Sequence, residues 1–198
     1  MHRYRKQKPE IRRRDILDAA RHVLVLKGYH DFRMNEVARK AKIGIGTLYL
    51  YFKDKGDIFA AVFSDLLDQV DERIKMSVGN KKGLEAVREM AKENLDFMDK
   101  HQDFLAQFRP NHPGVKGTMA GQRFKERFEK HMALFTGRMQ ECIKEGTVKP
   151  MDARLLGIYF NFLARMFMVY RRRFQSRHLL SSYTSNLMDI FLHGVGTK

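Results

Sequence analysis

Apolar residues repeat along this chain with the period of an α-helix, and no segment alternates apolar with polar residues as a half-buried strand does. An all-α fold follows. Between Arg13 and Lys27 the repeat falls on Ile16, Ala20, Val23 and Leu24, and Gly28 supplies a C-terminal stop. A short helix is expected over Asn35–Lys42, presenting Val37, Ala38 and Ala41. Another is expected over Thr47–Phe52, with Leu48 and Phe52 facing inward, and Gly44-Ile45-Gly46 lies between the two. Asp54, with Asp57 three residues on, imitates a capping box and opens a long helix to about Val78. Its stripe of Ile58, Val62, Leu66, Val70 and Ile74 is widened by Phe59, Phe63 and Leu67, which predicts two covered surfaces.

Gly79–Gly83 interrupts the pattern. Helices are then expected over about Leu84–Lys100 and from Gln122 onward, where Phe124, Phe128, Met132, Phe135 and Met139 form a stripe. Arg109–Gly121 is the least regular segment. Asp152 caps a further helix to about Arg173, and a last one covers about Ser181–His193. The result is about nine helices: an N-terminal three-helix head over 1–55 and a C-terminal helical body over 56–198. Leu155–Tyr170 is apolar on nearly every face, yet its 16 residues include Asn161 and Arg165. That is too short for a membrane span, which takes about 20 apolar residues. It predicts a helix buried on most sides, one on its own subunit and another on something else, which could be a second copy of the chain; the alternative is a monomeric core helix. Tyr183, Leu187, Ile190 and Phe191 offer the other half of such an interface.

Charge narrows the function. Lysine and arginine number 38 against 23 aspartate and glutamate, a net of +15 over 198 residues. Residues 1–60 hold 15 of those bases and 7 of the acids, so over half of the surplus lies in the first third. A polyanion is the partner class this implies, and the asymmetry places its site in the head. The single cysteine, Cys142, excludes an internal disulfide and a cysteine-built zinc site, and is read as an inert packed thiol. His101, His112 and His131 have no metal-ligand spacing, so neither a metal nor another cofactor is expected. No nucleophile–base pair, acidic dyad or phosphate loop appears, which argues against an enzyme. The basic N-terminus leads into no apolar segment of a secretory signal, so the cytoplasm is the expected compartment and no membrane is a partner.

Two short helices joined by a glycine-containing turn behind a buttressing helix are the parts of a helix-turn-helix. A helix that reads the major groove must be short, rigid and able to bring its N-terminal end to the base edges. Gly44 and Gly46 remove side chains where backbone nears the duplex, and they also permit unusual backbone angles. Thr47, Tyr49 and Tyr51 offer hydroxyls to phosphates, and Lys53 and Lys55 add charge beside the start of the long helix, itself an anion site. The basic start (Arg3, Arg5, Lys6, Lys8 and Arg12–Arg14) is either an arm on the DNA backbone or a solvated tail.

The stretch from Arg13 to Val62 resembles the TetR family of bacterial transcriptional regulators. The shared elements are Ala19-Ala20, Gly28-Tyr29, Val37-Ala38, Gly46-Thr47-Leu48-Tyr49, Tyr51-Phe52 and Lys55. The resemblance implies an all-α homodimer in which the last two helices of each chain pair as a four-helix bundle and the body senses a small molecule. It also places Thr47, Tyr49, Tyr51 and Lys55 among the DNA contacts. Four positions depart from the pattern: Arg33 replaces a capping Thr, Lys42 a frequent Gly, Gly44 a frequent Ser or Thr, and Ile45 a residue that is usually polar. Ile45 is therefore expected to touch a thymine methyl, with Arg33 or Asn35 reading a base edge.

In the body, Phe97, Phe104, Phe108, Phe128, Met132, Phe162 and Met166 are candidates to line an apolar ligand cavity, or else plain core. Asn161 and Arg165, four apart on one face, would answer a ligand carboxylate or phosphate, or form an ion pair across the dimer. Arg171–Arg173 with Arg177 and His178 form a solvated helix end or hold an acidic head group. The function these features support is a dimeric repressor released from a palindromic DNA operator by an apolar or amphipathic small-molecule effector. The alternative is a DNA-bound scaffold whose body binds a protein.

Overall fold

The computed structural model describes residues 9–107, 117–175 and 177–195. Among them there are nine α-helices, a 3-10 turn and no strand. The helices are α1 (Pro9–Asp31), α2 (Met34–Lys40), α3 (Ile45–Tyr51), α4 (Lys55–Val78), α5 (Gly83–Lys100), α6 (Gln102–Gln107), α7 (Met119–Lys144), α8 (Ala153–Phe174) and α9 (Thr184–Val195), with the 3-10 turn at Leu180–Tyr183. Phe108, His112, Arg3, Arg5, Lys6 and Lys8 lie outside the described residues.

The caps follow the local chemistry of the sequence. Gly28 takes φ 75°, breaking α1 at the expected stop. Asp54 Oδ1 accepts the Asp57 N–H at 2.8 Å, and the Asp57 carboxylate accepts the Lys53 N–H at 3.2 Å, closing the start of α4 reciprocally. Asp152 Oδ1 accepts the N–H groups of Arg154 and Leu155 at 2.8 and 2.9 Å. Helix α7 begins at Met119 rather than Gln122, because the Thr118 hydroxyl accepts the Gly121 N–H at 3.0 Å and serves as a cap.

Two compact units are present: Met1–Leu66 with Ala106–Lys125, and Leu67–Leu105 with Glu126–Lys198. In the first, α1 buries Ile16, Ala20 and Leu24, and α2 packs against α1 and α3. Val37, Ala38, Leu48 and Phe52 close this core, as their spacing predicts. Tyr29 meets Phe59 edge-on with ring centroids 5.0 Å apart. Asp57, besides its capping bonds, pairs with Arg123 at 3.0 Å.

In the second unit α5 packs against α8, α9 and the 3-10 turn. Phe160 and Phe191 meet edge-on at 5.1 Å. Helices α7 and α8 approach so closely at Gly157 that a Cβ there would lie 3.0 Å from the Thr136 nitrogen. Charged groups also cross the interior. Asp71 on α4 accepts from Arg127 Nη2 at 2.7 Å and lies 2.5 Å from His131 Nδ1, both on α7, while Arg127 Nε bonds Asp68 at 2.7 Å. Burial raises the Asp71 pKa, but the hydrogen bond and charge of His131, then those of Arg127, outweigh it and hold the carboxyl below the ordinary carboxylate range. Cys142 is fully buried, and burial pushes its thiol pKa up, as an inert packed thiol requires.

Helix α8 has two different faces. Only Leu156, Gly157, Phe160, Ala164 and Met168 face the chain's own core. The opposite side exposes Leu155, Tyr159, Phe162, Met166 and Val169 in one apolar stripe, with Phe162 at 57% and Met166 at 60%. The helix is therefore covered on one side within its own chain. Leu187 and Phe191 of α9, expected at an interface, are fully buried in their own subunit, and of the four residues expected there Ile190 alone is exposed.

Candidate nucleic-acid interface

Helices α2 and α3 are joined by the four residues from Ala41 to Gly44. The junction is a Schellman motif: the Lys42 N–H bonds the Arg39 carbonyl at 3.2 Å, and the Ile43 N–H reaches the Ala38 carbonyl at 2.9 Å. This geometry needs a left-handed residue, and Lys42 holds it at φ 55°. Glycine does so without a Cβ penalty, which explains in backbone terms why the family pattern has a frequent Gly where Lys42 stands. Lys42→Gly is expected to stabilise the head by about 1 kcal/mol net, raising its thermal midpoint. An unchanged or lower midpoint would show that Lys42 gains compensating contacts.

Glycine is not demanded at the other two positions. Gly44 has φ −69° and ψ 147°, ordinary extended backbone, and Gly46 is not left-handed, so the expectation of unusual angles there is corrected. A Cβ on Gly46 would meet nothing within 4 Å, and one on Gly44 only the Thr47 hydroxyl oxygen at 3.9 Å. Both glycines are exposed. The fold leaves room for side chains that the sequence omits, so a bare backbone is presented to whatever docks here.

Leu48 is fully buried and fixes the roll of α3. Ile45 and Tyr49, four apart, then face outward beside Gly46 and Leu50, with Ile45 44% and Leu50 85% exposed. Arg33, Asn35 and Lys53 are exposed with them, whereas Thr47 and Tyr51 are half-buried. Arg33 stands at the N-cap of α2 and Gly44 at that of α3, and neither makes a side-chain capping bond. Leu50 was not anticipated as a surface residue. Nothing in its type marks it as exposed, and only the roll imposed by Leu48 could have shown it.

Lys55 has an internal role. Its ammonium lies 3.5 Å from the carbonyls of Tyr29 and His30 and 4.8 Å from the Tyr29 ring centroid, clasping the end of α1 to the start of α4. The start of α4 is not an open anion site. The Asp54 carboxylate takes the Asp57 amide and the Asp57 carboxylate takes that of Lys53 just before the helix, so two anionic groups already stand there. Arg13 lies over the Phe52 ring, 5.5 Å from its centroid.

The body candidates separate into groups. Phe97, Phe104 and Met132 are buried, Phe128 is half-buried, and Phe162 and Met166 belong to the outward stripe of α8 rather than to the interior with them. Arg165 and Asn161 are half-buried on the flank of α8, where burial pushes the Arg165 pKa down. Arg171 pairs with Asp99, and Arg172 bonds the Gln102 carbonyl at 3.2 Å, so that basic run is partly occupied in holding the helix end. His131 is engaged by Asp71.

Comparison with known proteins agrees with this geometry. Residues 16–62 match the family model described as bacterial regulatory proteins, tetR family. An HTH-type transcriptional regulator of Bacillus subtilis, YhgD, is 31% identical over 149 residues, 73% of this chain and 75% of that protein. The fatty acid metabolism regulator protein of the same organism is 29% identical over 153 residues, 71% of this chain and 73% of that one. Among solved structures, FadR from Bacillus subtilis in complex with stearoyl-CoA superposes with a TM-score of 0.80 at 22% identity, covering 91% of this chain and 98% of that one. Buttress, turn, exposed reading helix and the run of identity beyond the head all agree: the chain belongs to the TetR family of DNA-binding transcriptional regulators.

Proposed function

We propose that this regulator acts in the cytoplasm as a homodimer that represses transcription from a palindromic operator and is released by a long-chain acyl thioester. The observation that carries the DNA reading is the outer face of α3, where Ile45, Tyr49 and Leu50 project beside an uncovered Gly46 while Leu48 anchors the helix. This face carries no charged side chain. Ile45 reads a thymine methyl by apolar contact, Arg33 or Asn35 reads a base edge, and Thr47, Tyr49, Tyr51 and Lys53 position the head on phosphates. Two such heads on a two-fold dimer meet half-sites one helical turn apart. The apolar stripe of α8 supplies the surface a second copy covers. The effector class is supported by resemblance to a fatty acid metabolism regulator and by the apolar interior around Phe97, Phe104 and Met132. Release follows if the effector binds better to a body conformation whose heads no longer match the operator.

The test is selection of bound duplexes from a random library, followed by titration with stearoyl-CoA. A palindrome should emerge, and the acyl thioester should dissociate it. With about six phosphate contacts, affinity should fall about 10³-fold between 50 and 200 mM salt. Replacing the recognised thymines by deoxyuridine, which removes only the methyl, should weaken wild-type binding and leave Ile45→Ala unaffected. A flat salt response, or no enriched sequence, would end the DNA reading.

A further inference from the structure

Four polar or charged residues are buried among the described residues: Asp71, Asn94, His101 and His131. Asp71 and His131 answer one another. Asn94 is different. It is the one polar side chain on the buried face of α5, in a stripe with Val87, Met90, Ala91 and Met98, and it is 2% exposed. Its amide nitrogen has no hydrogen-bond partner among the described residues. Buried amide donors are paired in nearly all folded proteins, because an N–H deprived of water and given no acceptor destabilises the fold. Leucine would fill the same place without that loss. An asparagine at the centre of an apolar helix face leaves its donor open to an acceptor that the described residues do not supply.

We propose that the Asn94 side-chain amide is the polar anchor of the effector site, donating a hydrogen bond to the carbonyl oxygen of the bound acyl group. This rests on the reading that an acyl compound enters the body. The surroundings also select the kind of carbonyl. The enclosed guanidinium groups of this unit, those of Arg127 and Arg171, are already paired with the carboxylates of Asp71 and Asp99. A free carboxylate brought to Asn94 would be an unpaired buried charge, whereas a thioester or ester carbonyl needs only the one neutral donor. The ligand class is therefore a long-chain acyl ester or thioester and not the free acid. Its apolar chain lies among the aromatic and methionine side chains of the same unit.

Binding of three probes to the full-length protein tests this: stearoyl-CoA, the thioether analogue S-octadecyl-CoA, which lacks only the carbonyl oxygen, and stearate. The wild type is expected to favour the thioester over the thioether by about tenfold, and to bind stearate more weakly still. Asn94→Leu is expected to bind the two CoA compounds equally, with a thermal midpoint no lower than that of the wild type. The midpoint separates a reserved donor from an ordinary structural one, which would lose stability on substitution. A wild type indifferent to the carbonyl, a variant that keeps the tenfold preference, a lowered midpoint, or stearate binding as well as the thioester would each overturn the assignment. The wild-type comparison needs no variant to fold. A wild type that binds none of the three would instead remove the acyl-effector reading itself, and this anchor with it.

Discussion

Phe162→Glu combined with Met166→Glu is expected to yield a folded monomer that has lost its operator. Both side chains stand on the outward stripe of α8, more than half exposed, opposite the core residues Phe160, Ala164 and Met168. Neither belongs to the buried face of α8, so helical content and thermal midpoint of the isolated subunit should change little. In the proposed dimer they would lie where the two copies meet, and four carboxylates per assembly would be desolvated there without partners. Interface residues of this kind each contribute about 2 kcal/mol or more, so the association constant should fall by at least about 10³-fold. A single head holds a half-site far more weakly than two linked heads hold a palindrome, so operator affinity should fall about 10²-fold or further. Sedimentation and a gel-shift titration measure both effects. Leu26→Glu, an exposed apolar residue on α1, is the control and should leave the dimer intact. A double variant that remains dimeric would place the subunit contact elsewhere.

The second large effect concerns stability. Asp71→Asn keeps the shape of the side chain and removes the charge that holds Arg127 and His131. Breaking a buried ion pair from one side costs about 3–5 kcal/mol, because the remaining charge stays buried. In a chain of this size that corresponds to a fall in thermal midpoint of roughly 10 °C. Replacing the group together, as Asp71→Leu, Arg127→Met and His131→Phe, should recover most of the loss, since an apolar cluster needs no partners. The pH dependence has a definite sign. The folded Asp71 carboxyl titrates below its ordinary range, so its stabilisation is complete above the unfolded value, about 4. It is lost as pH falls through the folded value. The wild type should lose stability in this acid range more steeply than Asp71→Asn. A shift under about 2 °C at pH 7 would mean that solvent reaches the network.

The legible parts of the sequence were those with local causes. Gly28, Asp54 and Asp152 act within a few residues of themselves, and each ends or opens a helix where its chemistry predicts. Thr118 was hidden because the glycines at 117 and 121 give its surroundings the composition of a loop. Helix α8 was legible as doubly apolar, but a helix apolar all round has no phase, so its spacing could not say which stripe faces outward. The same ambiguity misplaced Leu187 and Phe191. The Asp71–Arg127–His131 group was invisible for another reason. Its members lie about 60 residues apart, and charges spaced along two helices read as solvated faces until the helices are packed together. In the head, a tight turn and one buried leucine determine the roll of a seven-residue helix.

The stripe on α8 has a consequence for the life of the protein in a cell. If the proposed dimer forms across it, a newly made chain emerges with Leu155, Tyr159, Phe162, Met166 and Val169 exposed, and such a patch invites aggregation and attack by quality-control proteases until a sister chain arrives. Encounter is bimolecular, so that exposed interval lengthens as copy number falls. The steady-state amount of this regulator should respond more than proportionally to its rate of synthesis, giving the cell a threshold below which it is effectively absent.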